Sequence, residues 1–126
     1  MDTNGNYIQT QFCSYEIALK LRELGFDKEC FKVYDILGFL QIEAEMIQLK
    51  LEFVKAPLWQ QAIDWFRIKH KIDIFVNPIE TMLFPKRTYQ SRVLTKTSIT
   101  IGGAYDIYEK AREQAILKAI ELCQKK

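Results

Sequence analysis

The chain has 126 residues, 48% of them hydrophobic and 13% aromatic, with only five glycines and three prolines. This length and apolar content suit one domain that buries its own core, and they exclude a disordered or collagen-like chain. Eighteen basic residues stand against sixteen acidic ones, for a net charge of +2, a balance that by itself neither requires nor forbids a polyanion partner.

Residues 1–13 read as a partly ordered tail. Asp2-Thr-Asn-Gly-Asn6 is turn-prone, and the few apolar residues after it have the character of a segment that pairs with a sheet edge. An acid at position 2 stands where a signal peptide carries lysines, and no apolar run reaches the roughly 18 residues of a membrane span. Cys13, Cys30 and Cys123 form an odd set without CxxC spacing, which fits a reducing compartment. The expected location is therefore cytoplasmic.

The domain expected over residues 14–126 begins with a helix from about Tyr15 to Leu24. Ser14 is its N-cap, Glu16 lies in the first turn, and Ile17, Ala18, Leu21 and Leu24 recur at helical spacing. Gly25 is placed for the left-handed stop, with Phe26 folding back on Leu21. The period then changes to two. A hairpin is predicted from about Cys30–Tyr34 and Phe39–Glu45, turning through Asp35–Gly38. Ile47, Leu49, Leu51 and Phe53 continue the alternation one residue out of phase, which implies a bulge or second turn. Helix propensity across Glu43–Lys50 favours a short helix instead; the alternation is read here as strand.

Pro57 is expected at the first position of a second helix, with Trp59, Ala62, Ile63 and Phe66 on one face, widened by Leu58 and Trp65. That helix is expected to end near His70 or Lys71. Ile72, Ile74 and Val76 follow as a strand stopped by Asn77-Pro78. Residues 79–90 read as a loop, Val93 to Ile101 as one strand, and Gly102-Gly103 as its end. Asp106 and Glu109 have capping-box spacing before a long last helix striped by Tyr108, Ala111, Ala115, Ala119 and Leu122. The predicted fold class is α+β: a small domain with a mainly antiparallel sheet covered by three helices, in the order α-β-β-(β)-α-β-β-α.

Three blocks, Ser14–Phe26, Ala56–Arg67 through Ile72, and Tyr108–Ile120, together resemble short uncharacterised proteins of bacteriophages, prophages and Bacteroides-type mobile elements. The resemblance implies a genomic context. It brings no activity and no active residue with it.

Catalytic signals are weak. His70 is the one histidine, and its position near a helix carboxyl end is accounted for by charge and capping. It makes no closely spaced ligand pair with Cys13, Cys30 or Cys123, so no zinc site or other cofactor is expected. Asp64 and Asp73 flank the basic run, while Glu43 and Glu45 read as a solvated strand face; no phosphate loop, HExxH or GxSxG motif is present. The chain is expected not to be an enzyme.

Two binding classes are left. The first is protein interaction or self-association, with Leu58, Trp59, Trp65 and Tyr105 as the surplus aromatic and apolar surface from which interface hot spots are made. Burial of both tryptophans weakens that assignment. The alternative is nucleic-acid binding through a basic stripe of Arg67, Lys69, Lys71, Lys86, Arg87, Arg92 and Lys96 around the end of the second helix, with Tyr89 or Trp59 for stacking.

Overall fold

A computed structural model describes residues 11–80 and 87–125. Among the described residues, four helices and two three-stranded antiparallel sheets make a small α+β fold, the class expected from the order of periodicities. The chain divides into two compact units, Met1–Ala62 and Ile63–Lys126.

The first unit opens with residues 11–13, where Phe12 bridges Leu58 and the Cys13 N–H donates to the Pro57 carbonyl at 2.8 Å. The tail expected over residues 1–13 otherwise lies outside the described residues. Helix α1, Tyr15–Glu23, has the predicted cap: the Ser14 hydroxyl accepts from the Ile17 N–H at 3.3 Å. Its end also follows the sequence. Gly25 sits at φ +97°, the Gly25 N–H donates to Arg22 and the Phe26 N–H to Leu21, both at 3.0 Å, so two otherwise orphaned carbonyls are satisfied.

Strands β1 (Lys32–Tyr34) and β2 (Leu40–Gln41) form the expected hairpin, with Tyr34 opposite Leu40. The second strand is much shorter than predicted. At Glu43 the chain turns into helix α2, Glu43–Gln48, which corrects the strand reading of residues 43–53. Propensity wins there because alternation carried no burial: only Met46 enters the core, while Ile47, Leu49 and Leu51 are exposed. Glu43 and Glu45 occupy the first turn, where acids offset the helix dipole. Lys50, at φ +57°, takes the left-handed position after the helix. The edge strand β3, Val54–Ala56, then pairs with β1. Phe12, Ala18, Tyr34, Val54 and Ala56 form one buried apolar cluster of this unit.

Helix α3, Trp59–His70, begins two residues later than Pro57. Pro57 is not its first residue, because the proline is buried and engaged with Cys13. The start is secured by Gln61, whose Oε1 accepts the Leu58 N–H at 2.9 Å while its amide donates to the Glu29 carbonyl at 2.8 Å.

In the second unit the sheet runs β4-β5-β6: Asp73–Ile79, Thr88–Leu94 and Ile99–Tyr105. Three expectations are corrected here. Strand β4 continues through Asn77-Pro78, because β4 is an edge strand and a proline there costs no ladder bond on its open side. The single strand from Val93 to Ile101 is a hairpin turning at residues 95–98, whose Thr and Ser hydroxyls supply the turn bonds without any glycine. Gly102-Gly103 lies within β6 and forms a bulge: Gln90 faces Ala104 and Arg92 faces Ile101, so two glycines oppose Ser91 alone. A methyl group on Gly102 overlaps the Ser91 hydroxyl, which explains the small residue. Of the loop predicted over residues 79–90, Ile79 and residues 88–90 are strand, and residues 81–86 lie outside the described residues.

Helix α4, Tyr108–Gln124, packs on all three strands through Ala111, Ala115, Ile116, Ala119 and Ile120, over the face that buries Ile74, Ser91 and Val93. Ile107, not Asp106, is its N-cap residue, and no side chain caps it, so the capping box is not formed. Ala111, Ala115 and Ala119 of the expected stripe are buried, Tyr108 and Leu122 only in part, and Ile116 and Ile120 widen the stripe. Among the described residues no helix is long and apolar enough to cross a membrane.

Candidate functional site

The tryptophans are not surface. Trp59 is 7% exposed and Trp65 4%; Trp65 packs edge-on against Phe66 and His70, with ring centroids 5.2 and 4.8 Å away. Leu58 and Tyr105 are half-buried. The four residues expected to form an interface therefore offer little apolar area to a partner.

Exposed apolar side chains lie elsewhere: Phe31, Leu49, Ile68, Ile99 and Ile101 stand singly or on the open sheet face, and three more crowd the tip of the β1–β2 hairpin. Ile36, Leu37 and Phe39 are 69%, 75% and 62% exposed. Their backbone is held firmly. The Asp35 N–H donates to the Phe39 carbonyl at 2.9 Å, and the Gly38 N–H to the Asp35 carbonyl at 3.0 Å. The Asp35 Oδ1 accepts the Leu37 and Phe39 N–H groups at 2.9 and 3.0 Å, and its Oδ2 accepts the Gln41 amide at 2.9 Å. These donors, the Phe39 N–H and the Gln41 amide foremost, hold the Asp35 carboxyl below its ordinary pKa.

Gly38 completes the turn at φ +87°, its Cα facing the Tyr15 ring so closely that a Cβ there stands 3.1 Å from it. Tyr15 is set in turn by an edge-on contact with Tyr34 at 5.5 Å, and the Tyr34 hydroxyl donates to the Cys13 carbonyl at 2.6 Å. Burial pushes the Tyr34 phenol up to about 12, so it stays a donor at neutral pH. Beside the tip lies a cavity of about 510 Å³ with a mixed wall, in which Arg22, Asp35 and Glu52 stand with Tyr15, Leu51 and Phe53. The Asp35-x-x-Gly38 spacing announced a turn. The missed signal was its filling, since large apolar residues are unusual at the positions where turns carry polar ones.

The basic residues separate into groups. Lys69, Lys71 and Lys96 line one cavity of about 500 Å³ in the second unit. Arg67 pairs with Asp64 at 3.2 Å and Arg87 with Glu80 at 3.7 Å. Arg92 stands on the exposed sheet face in register with Phe75 and Ile101, and Lys86 lies outside the described residues. Neither aromatic expected to stack bases is on offer, because Trp59 is buried and Tyr89 packs edge-on against Tyr108 at 5.8 Å.

The groups considered for catalysis are engaged in structure. His70 packs against Trp65 and Phe66. Asp64 is taken up by Arg67. Glu43 and Glu45, two apart on α2, do not face a common point. All three cysteines are free thiols; burial pushes the half-buried Cys30 up to about 11 against the opposing pull of Lys55, leaving it protonated and a poor nucleophile. Among the described residues no group of three or more His, Cys, Asp or Glu is gathered as metal ligands.

No family model, curated protein or solved structure matches the chain.

Proposed function

We propose that the protein is a non-enzymatic accessory component of a phage or mobile element that works by binding protein, and that its first partner is a second copy of itself. The observation that carries this reading is the locked apolar hairpin tip. Asp35 and Tyr15 fix its backbone while Ile36, Leu37 and Phe39 point into water, so little ordering entropy remains to oppose docking. A projecting tip and a cavity side by side on one unit form a self-complementary surface of the kind used by two-fold dimers.

The magnitudes suit a weak association. Fully burying a large apolar side chain contributes roughly 1.5–3 kcal/mol, and a symmetric pair buries six, against an association cost that starts at roughly 4 kcal/mol and runs well above it. The phage or mobile-element context is supported by the three helical blocks of the sequence resemblance, and a cytoplasmic setting by the three free thiols.

Sedimentation velocity over a wide concentration range tests the reading. The wild-type protein is expected to shift from monomer to dimer, and Leu37→Ser/Phe39→Ser to remain monomeric with an unchanged circular dichroism spectrum. A wild-type chain that stays monomeric at high concentration overturns self-association.

A further inference from the structure

We propose that the cavity formed by the end of α3 and the β5–β6 turn binds a phosphate-type oxyanion. Lys69 and Lys71 come from the helix end, Lys96 from the turn, and among the described residues no carboxylate belongs to the lining. Three lysines line a cavity of about 500 Å³ with Ile72 and Leu122 in its wall, and a multiply charged anion between them is attracted by all three. The volume falls within the ordinary range of small-ligand sites.

The positioning is specific. Lys71 adopts φ +58°, a conformation that lysine takes at a cost, and its Nζ donates to the Ile68 carbonyl at 3.2 Å, which leaves two of its three donors for a ligand. Across the cavity the turn is fixed by its own hydroxyls. The Thr95 N–H donates to the Ser98 carbonyl at 2.9 Å, the Ser98 N–H to the Thr95 Oγ1 at 3.1 Å, and the two hydroxyls share a 2.8 Å bond. Lys96 thus projects from a rigid support, with the Thr97 hydroxyl beside it as an additional donor of the kind that binds phosphate oxygens. Phosphate matches this set better than a carboxylate does, because it carries more charge and presents acceptors in three dimensions.

The ligand is either a free phosphate group or one phosphate of a nucleic-acid backbone. Amide NMR titrations at constant ionic strength distinguish them, with inorganic phosphate, a nucleoside monophosphate and a short single-stranded oligonucleotide as probes and chloride as control. Saturable shifts confined to residues 69–72 and 95–98 are expected, with affinity at least tenfold weaker in Lys71→Gln/Lys96→Gln, whose spectrum otherwise matches the wild type. Equal affinity for phosphate and oligonucleotide assigns the site to a free phosphate group. An oligonucleotide bound at least tenfold tighter, with steep salt dependence, assigns it to a phosphodiester backbone. No saturable shift with any probe, or shifts that the double variant leaves intact, overturns the proposal. Lys69→Gln serves as a second variant should the double variant fail to fold.

Discussion

Two hairpin turns, one in each unit, are built alike and equipped oppositely. Residues 35–39 are locked by an Asp35 carboxylate that collects backbone and side-chain donors, and residues 95–98 by a Thr95 hydroxyl that does the same. The first turn carries Ile36, Leu37 and Phe39 into solvent, whereas the second carries Lys96, Thr97 and Ser98. Rigidity comes from the locking residue and partner chemistry from the residues between. One fold therefore carries two turns of opposite chemistry, apolar and cationic, that share no residue.

The sharpest way to separate the two is to damage the second sheet alone. Gly102→Ala drives a methyl group into the buried Ser91 hydroxyl and is expected to cost about 1–3 kcal/mol in urea unfolding. Ser91→Gly in the same chain recovers part of that loss. A neutral Gly102→Ala contradicts the bulge packing.

The first turn is broken next. Gly38→Ala combines a left-handed backbone with a close approach to the Tyr15 ring, and should lower stability by about 1–2 kcal/mol while weakening any association through the tip. Calorimetry reads the first effect and sedimentation the second.

A smaller effect, selective for the first turn, comes from pH. The Asp35 carboxyl has a lowered pKa in the folded chain, so its contribution is present above the unfolded value of about 3.9 and is lost as pH falls through the folded value. Asp35→Asn should therefore be less stable than wild type near neutral pH, with the gap closing below pH 4 or so. A gap that is independent of pH contradicts the carboxylate lock. The smallest change is a gain: Lys50→Gly relieves a left-handed lysine at φ +57°, partly offset by added freedom in the unfolded chain, for a net improvement under about 1 kcal/mol in urea unfolding.

Much of this architecture was legible where local chemistry and burial agree. The Ser14 hydroxyl caps α1, Gly25, with no Cβ, takes the left-handed stop, and the Cys30–Tyr34 alternation led to a real hairpin. Legibility failed where a pattern was present without burial. Ile47, Leu49 and Leu51 alternate like a strand yet are all exposed, and α2 forms through propensity. It failed also at the 95–98 turn, where threonines that suit a strand supply turn bonds through their hydroxyls.

The candidate sites divide the same way. Of the seven residues of the expected basic stripe, Lys69, Lys71 and Lys96 line one cavity, because the helix end and the β5–β6 turn are close in the same unit. Two tryptophans within seven positions are more than one helix face needs, yet both are core. Ile36, Leu37 and Phe39 are exposed instead, in a turn whose sequence signal was Asp35 and Gly38.

The most direct test of the central claim is sedimentation velocity of the wild-type chain beside Leu37→Ser/Phe39→Ser across a wide concentration range. These exposed substitutions should change folding stability by less than about 0.5 kcal/mol. A wild-type dimer that the double variant abolishes is the predicted result. A monomeric wild type, or a dimer that persists unchanged in the variant, contradicts self-association through the hairpin tip.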